Sequence, residues 1–237
     1  MEWKSRRGME IKMKKGVVTG WMTAVMILTI CLTGCGEPKA AKEARLQGIA
    51  QMEEEQYSEA IASFDTALQE AGGVVNKFEL DILKYRGEAE YRLKDYAAAE
   101  HTYGILLEVD GEQPEYRYYK AAAGAAAGHV DAAVADYDKA VDLSKNMKRN
   151  VTGEGIALSA IGTAYANQKD YDKAIEYFDR GIASGDETTV QRSTYNKGAV
   201  YEQKGDFAKA LEIFTAYSST YGSTPELERE ITFLKSR

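Results

Sequence analysis

The chain contains the segment DYDKAIEYFDRGI at residues 170–182. Its apolar residues recur at intervals of three and four, which places them on one face of an α-helix. Asp170 stands just before this pattern, where a carboxylate can accept hydrogen bonds from the free backbone N–H groups of a helix N-terminus. The segment therefore predicts an amphipathic helix whose apolar face holds Tyr171, Ala174, Ile175, Phe178 and Ile182.

The same pattern occurs five times. In each copy an alanine is preceded three residues earlier by an aromatic residue and followed four residues later by another, except that Val130 takes the first aromatic place in the third copy. The central alanines are 39, 34, 41 and 36 residues apart, and they are Ala60, Ala99, Ala133, Ala174 and Ala210. A pattern that returns at a nearly constant spacing predicts an array of similar structural units.

A small residue stands twelve positions before each central alanine. Two antiparallel helices that approach to about 8–10 Å need glycine or alanine where they cross. The aromatic residue four positions after the alanine lies on the same helical face, where we expect it to fill the groove between one pair of helices and the next. The pattern therefore predicts helix hairpins whose crossing points are Gly48, Gly87, Ala121, Gly162 and Gly198.

These features resemble the tetratricopeptide repeat, a family of helix hairpins with a period of about 34 residues. The resemblance covers most of residues 39–237. It implies an all-α fold, namely a right-handed α-solenoid of about five hairpins at residues 44–223. Pro225 is expected to start a C-terminal capping helix within residues 224–237.

Three segments interrupt the regular pattern. The two long spacings predict loops near Ala71 to Asn76 and from about Ser144 to Gly155. The run Ala121 to Gly128 has almost no side chains. Either tight packing between neighbouring helices or a groove floor with room for a guest helix would explain this run.

The N-terminal region, residues 1–34, has the order of parts of a bacterial export signal. Lys12, Lys14 and Lys15 precede an apolar segment from Val17 to Leu32, and such cationic residues stay on the cytoplasmic side. The next four positions, Leu32 to Cys35, resemble the lipobox of bacterial lipoproteins. This resemblance implies that the thiol of Cys35 is acylated, as with palmitate, and that Cys35 becomes the first residue of the mature protein.

The alternative interpretation is an uncleaved transmembrane anchor. Gly16 to Gly36 contains no charged residue and is about long enough to span a bilayer. Both interpretations place the body of the protein outside the cytoplasm, held near the cell membrane by a short tether at residues 35–43. An outer-membrane location is possible if the source has two membranes.

Charge argues against two classes of partner. Residues 35–237 contain 24 Lys or Arg and 35 Asp or Glu, a net charge of −11. Such a surface repels phosphate backbones and anionic headgroups, so the composition argues against nucleic-acid binding and against a basic membrane-docking face. The lipid would hold the protein to the membrane.

The sequence gives no support for catalysis. The only histidines are His101 and His129, and neither has companions at the spacing of a metal site or a catalytic triad. No glycine-rich phosphate loop follows a strand. We therefore predict a protein that is not an enzyme and that has no metal or cofactor.

The resemblance also implies where a partner binds. In tetratricopeptide arrays the first helix of each unit lines a concave groove, with partner contacts at its second, fifth, ninth, twelfth and thirteenth residues. In this chain those positions gather cations and tyrosines, and tyrosine and arginine are the residue types most able to contribute binding energy at an interface. Alternatively, these side chains only pair with neighbouring helices. The candidates are Arg45, Met52, Lys84, Tyr91, Arg92, Tyr118, Asn167, Arg192, Tyr195 and Glu202.

One variant of the family grips the terminal carboxylate of a peptide with Lys, Asn and Arg side chains. This chain departs from that set, because Ile49 and Tyr85 stand where amides are required. The predicted function is a membrane-anchored extracytoplasmic scaffold that binds a protein or peptide. A more specific form of this prediction is a protein that resembles the lipoprotein subunit of the outer-membrane barrel-assembly machine. A hydrolase or solute-binding lipoprotein that uses the groove is a further alternative.

Overall fold

The computed structural model describes residues 37–72, 75–145, 147 and 151–237. These residues form eleven α-helices and no strand, which confirms the all-α prediction. The helices are α1 (Lys39–Glu53), α2 (Tyr57–Ala71), α3 (Lys77–Arg92), α4 (Tyr96–Asp110), α5 (Pro114–Ala126), α6 (Val130–Ser144), α7 (Glu154–Asn167), α8 (Tyr171–Ala183), α9 (Glu187–Lys204), α10 (Phe207–Tyr221) and α11 (Pro225–Lys235).

Each odd-numbered helix up to α9 packs against the even-numbered helix that follows it. In the four hairpins whose first helix has a glycine at the crossing, the aromatic residue of the second helix lies against that glycine. A Cβ atom placed on Gly162 would lie 2.7 Å from Cε1 of Phe178, and one on Gly198 would lie 2.8 Å from Cε1 of Phe214. The four predicted crossing points that are glycines are confirmed, because a larger residue there would meet a buried ring.

Three of the second helices, α4, α8 and α10, follow a capping aspartate, as predicted for Asp170. The side chains of Asp95, Asp170 and Asp206 accept hydrogen bonds from backbone N–H groups three residues later. Asn76 caps α3 by accepting a hydrogen bond from the Phe78 backbone N–H, and the Glu79 carboxylate in turn accepts one from the Asn76 backbone N–H at 3.0 Å. These caps satisfy donors that have no partner within the helix.

The largest apolar core lies between α5, α6, α7 and α8. Ala121 to Ala125 are all buried, because α7 packs directly on α5. Tight helix packing therefore accounts for most of the run of small residues. The end of α5 is different, since Ala126 is exposed.

The ends of the array differ slightly from the sequence prediction. Helix α1 begins at Lys39, five residues before the expected start of the array. Helix α11 lies within residues 224–237, and its Leu227 and Leu234 side chains are buried against α10. The interrupting loops fall where they were predicted, between α2 and α3 and between α6 and α7.

Among the described residues no helix is both long and apolar enough to cross a membrane. The predicted signal region and the acylation site at Cys35 lie outside the described residues.

Candidate functional site

The first helices of successive hairpins line one elongated cavity, which we call the tyrosine groove. Its volume is about 550 Å3. Most of its lining comes from α3 and α5, and Arg192 of α9 closes one side. The lining residues are Asp81, Lys84, Tyr85, Glu88, Tyr91, Arg92, Tyr103, Glu115, Tyr116, Tyr119, Thr152, Ile156 and Arg192.

A smaller cavity of about 280 Å3 extends the tyrosine groove along α7. The two cavities share Tyr91, Ile156 and Arg192. The rest of its lining consists of Tyr96 and of small or polar side chains, among them Ala126 and, at the end of α7, Asn167. A continuous surface therefore runs from α3 across α5 and α7 to α9.

The structure brings five of the ten predicted residues together on this surface: Lys84, Tyr91, Arg92, Asn167 and Arg192. Arg45 lies at its edge, where Nε donates a hydrogen bond to Oδ2 of Asp81 at 2.6 Å. Its guanidinium also lies 5.5 Å from the centre of the Tyr85 ring. Arg45 thus supports the groove without lining it.

The prediction for Tyr118 is wrong. Its side chain is only 1% exposed and its ring packs 5.6 Å from that of Tyr137. The N-terminal end of α7 covers it, since a Cβ on Gly153 would lie 3.0 Å from Cβ of Tyr118. Tyr116 and Tyr119 line the groove instead. The long insertion before α7 was the only sequence signal that this part of α5 departs from the regular pattern.

Three further predicted residues lie away from both cavities. Met52 is half-buried against the core between α1, α2 and α3. The Tyr195 ring is 40% exposed and packs 5.3 Å from Phe214 of the next helix. Glu202 faces Glu230 of α11, and its pKa is raised, chiefly by burial and then by the Glu230 charge. Each of these three side chains has a neighbour on another helix.

Aromatic rings form the wall of the tyrosine groove. Tyr103 and Tyr119 stack with their centroids 5.2 Å apart, and Tyr91 packs edge-on against Tyr96. Burial raises the pKa of the Tyr91 and Tyr103 hydroxyls. Both hydroxyls therefore stay protonated near neutral pH and keep a hydrogen to donate.

Several charged residues of the groove form ion pairs. Within the described part of the chain no three His, Cys, Asp or Glu side chains are placed to hold a metal ion. The acids of the groove pair with cations: Arg92 lies 3.3 Å from Glu88, and Asp81 is held by Arg45. The arrangement offers aromatic surface, hydroxyl donors and cations to a partner, which is the chemistry of an interface.

Family models described as "Tetratricopeptide repeat" match residues 45–104, 86–147, 155–184 and 192–219. Together these ranges cover about two thirds of the 237 residues. The matched ranges contain most of α1 to α10.

Among curated proteins, the chain is similar to the Hsp70-Hsp90 organizing protein of Triticum aestivum, with 36% identity over 103 residues. That match covers 42% of this chain and 18% of the relative. The small glutamine-rich tetratricopeptide repeat-containing protein 2 of Mycosarcoma maydis is 30% identical over 100 residues, which are 42% of this chain and 26% of that protein. The chain thus spans about a fifth of the length of the curated relatives it matches.

Solved structures share the fold at low sequence identity. PilW, described as a widely conserved type IV pilus biogenesis factor, has a TM-score of 0.64 and 17% identity over 84% of this chain and 87% of its own. A tetratricopeptide repeat protein from Parabacteroides merdae has a TM-score of 0.58 and 16% identity over 84% of this chain and 73% of its own. These matches confirm the repeat array and carry no information about the partner.

Proposed function

Because the chain belongs to the tetratricopeptide repeat family, we propose that it is a scaffold that holds a partner protein or peptide in the tyrosine groove. The observation that carries this proposal is the convergence of four first helices on one surface rich in tyrosine and arginine. Such side chains contribute much of the binding energy at interfaces. The cavity volume of about 550 Å3 suits a few side chains of a peptide or of a protruding loop.

The curated relatives support this general role. Two of them are named as organizing proteins of Hsp70 and Hsp90, which is a name for a protein that brings other proteins together. The groove also lacks a nucleophile paired with a base, or a pair of carboxylates free to act as acid and base, among the described residues that line it. A hydrolase is therefore the weaker alternative, and we assign the groove to binding.

We further propose that the scaffold is exported and held at the outer face of the cell membrane by acylated Cys35. The support is the order of the N-terminal parts, with cationic residues, an apolar segment and then Leu32 to Cys35. Replacement Cys35→Ser should move the protein out of the membrane fraction and abolish incorporation of labelled palmitate. Unchanged membrane retention without label would favour the uncleaved anchor. An outer-membrane site would need a source with two membranes.

A steric plug tests the binding role without changing the charged residues of the groove. Ala126 and Asn167 are exposed and line the extension of the groove, so tryptophan at both positions should block it. The matched control places tryptophan at Ala135 and Glu176, which are exposed on α6 and α8 and line neither cavity.

The measurement is quantitative mass spectrometry of proteins captured from cell envelopes by each variant. We expect the wild type and the A135W/E176W control to capture the same partner proteins. The A126W/N167W variant should fail to capture them. Equal capture by the two double variants would contradict the proposal. Circular dichroism would verify that both variants keep their helices.

A further inference from the structure

The charges of the tyrosine groove point to one class of partner, and this inference rests on the proposed function. We propose that the groove binds an acidic segment of a protein, with Lys84 and Arg192 meeting the side-chain carboxylates and the tyrosine hydroxyls donating further hydrogen bonds. The segment is internal to its chain, so that its side chains and not its C-terminus provide the charge.

Lys84 and Arg192 are the first part of the argument. Among the residues that the structure describes, no carboxylate lies within 4.0 Å of either cationic group. The positive charge of Arg192 acts to lower the pKa of Asp186 and of Tyr91, but Arg192 forms no ion pair with Asp186. Both cations lie on the groove, so a ligand carboxylate can pair with them without breaking an existing ion pair.

The acids of the groove are already engaged. Asp81 accepts a hydrogen bond from Arg45 at 2.6 Å, and Glu88 lies 3.3 Å from Arg92. Glu115 also has an interaction partner. A cationic ligand would have to compete with these partners, whereas an anionic ligand meets two cations that have no ion pair within the described residues.

The occupied tyrosine rings argue against a second possibility, that the groove is an aromatic cage for a ligand cation. The guanidinium of Arg45 lies 5.5 Å from the Tyr85 centroid. The ammonium of Lys84 lies 5.3 Å from the Tyr116 centroid. Two ring faces are thus occupied by cations of the chain itself, which would repel a lysine or arginine from a partner.

The hydroxyls favour a ligand rich in acceptors. Tyr91, Tyr103 and Tyr119 line the groove. Within the described residues none of their hydroxyls has a hydrogen-bond acceptor. A protonated hydroxyl next to a carboxylate donates a charge-assisted hydrogen bond, which is stronger than a neutral one. An ionised carboxylate only accepts hydrogen bonds, so Asp and Glu side chains suit a lining of hydroxyl donors.

The acidic surface of the rest of the chain makes such recognition selective. Residues 35–237 carry a net charge of −11, so an acidic segment is repelled elsewhere and attracted only where cations converge. Local attraction by Lys84 and Arg192 acts over a short range and weakens as salt screens it.

The test uses the full-length chain in detergent micelles and fluorescein-labelled synthetic peptides of equal length with amidated C-termini. One peptide alternates Glu and Leu, and its two controls replace Glu by Gln or by Lys. Fluorescence anisotropy gives each dissociation constant. We expect the Glu peptide to bind more tightly than the Gln peptide, the Lys peptide not to bind, and added salt to weaken binding.

The variant K84Q/R192Q should weaken binding of the Glu peptide by about tenfold, which is the loss of about 1.4 kcal/mol. The control K77Q/K235Q removes the same charge at two exposed positions outside the cavities and should leave the dissociation constant within about twofold. Equal loss in both variants, no loss in either, or preference for the Lys peptide would overturn the inference.

Two further arms distinguish related ligands. A peptide with phosphoserine in place of Glu that binds more tightly would overturn the choice of carboxylates, and a requirement for a free C-terminus would overturn the internal segment. Absence of binding to every peptide would overturn the inference alone. The steric-plug capture experiment would still decide the proposed function, because it depends on no assumption about charge.

Discussion

At the scale of single residues, the hairpins depend on the contact between a glycine and an aromatic ring. Phe64, Phe178 and Phe214 are at most 1% exposed, and each lies where a Cβ on the paired glycine would stand. These rings have no free volume to move into, since protein cores are packed as densely as organic crystals. The absence of a single methyl group therefore sets the distance between two helices.

Replacing Gly162 by alanine should destabilise the protein. The new methyl group would lie 2.7 Å from Cε1 of Phe178, and overpacking of this kind costs about 1–3 kcal/mol. This exceeds the gain in helix propensity of about 1 kcal/mol. The control is Gly104→Ala on α4, where only Cε of Lys120 approaches, at 4.0 Å. Chemical denaturation should show a lower free energy of unfolding for G162A and a higher one for G104A. The same sign for both would contradict the packing account.

Glu202 should make the stability of the C-terminal end depend on pH. Burial and the Glu230 charge raise the pKa of Glu202 above its ordinary value of 4.5. The free energy of unfolding therefore falls as pH rises from about 4.5 through the raised pKa, since the native state holds the proton longer than the unfolded state.

Glu202→Gln removes this proton dependence and keeps a hydrogen-bond donor toward Glu230. We expect E202Q to have a higher melting temperature than the wild type at neutral pH. The difference should disappear at pH values below the ordinary pKa of 4.5, where Glu202 is protonated in both the folded and the unfolded state. The control E70Q changes an exposed side chain on α2 and should show no such dependence. A lower melting temperature of E202Q at neutral pH would contradict the assignment.

At the scale of elements, helix beginnings are fixed by local chemistry. Asp170 shows this for α8, because its side chain accepts the Lys173 backbone N–H at 3.3 Å. Helices α5 and α11 begin with a proline instead. Proline has no backbone N–H, and at the first turn of a helix that N–H would have no partner within the helix. The boundaries of these helices therefore follow from residues that are adjacent in sequence.

Asp170→Ala should lower the free energy of unfolding by about 1 kcal/mol, because the N-terminus of α8 loses its cap. Asp170→Asn keeps an acceptor at the same position and should retain most of the stability. Thermal unfolding followed by circular dichroism compares the two variants. If D170N were as destabilised as D170A, the cap would not be the source of the effect.

At the scale of the whole molecule, the sequence predicts the array better than its surface. The period, the crossing glycines and the caps are local patterns, so the hairpins and the two loops could be located. The lining of the groove depends on how the hairpins stack, which local patterns do not show. Stacking buries Tyr118 beneath α7 and brings Glu202 next to Glu230 of α11. No local pattern shows that Tyr116 and Tyr119 line the groove while Tyr118 packs into the core beneath α7.

The central claim is that the surface formed by the first helices is the one that meets the partner. The most direct measurement places a photo-crosslinking amino acid at Lys84, Tyr119 or Arg192, and at the exposed outer positions Ala62, Ala135 or Glu176, in the cells that produce the protein. We predict the same discrete crosslinked species from the three groove positions and none of it from the outer positions. Equal yields of that species from both sets would contradict the claim.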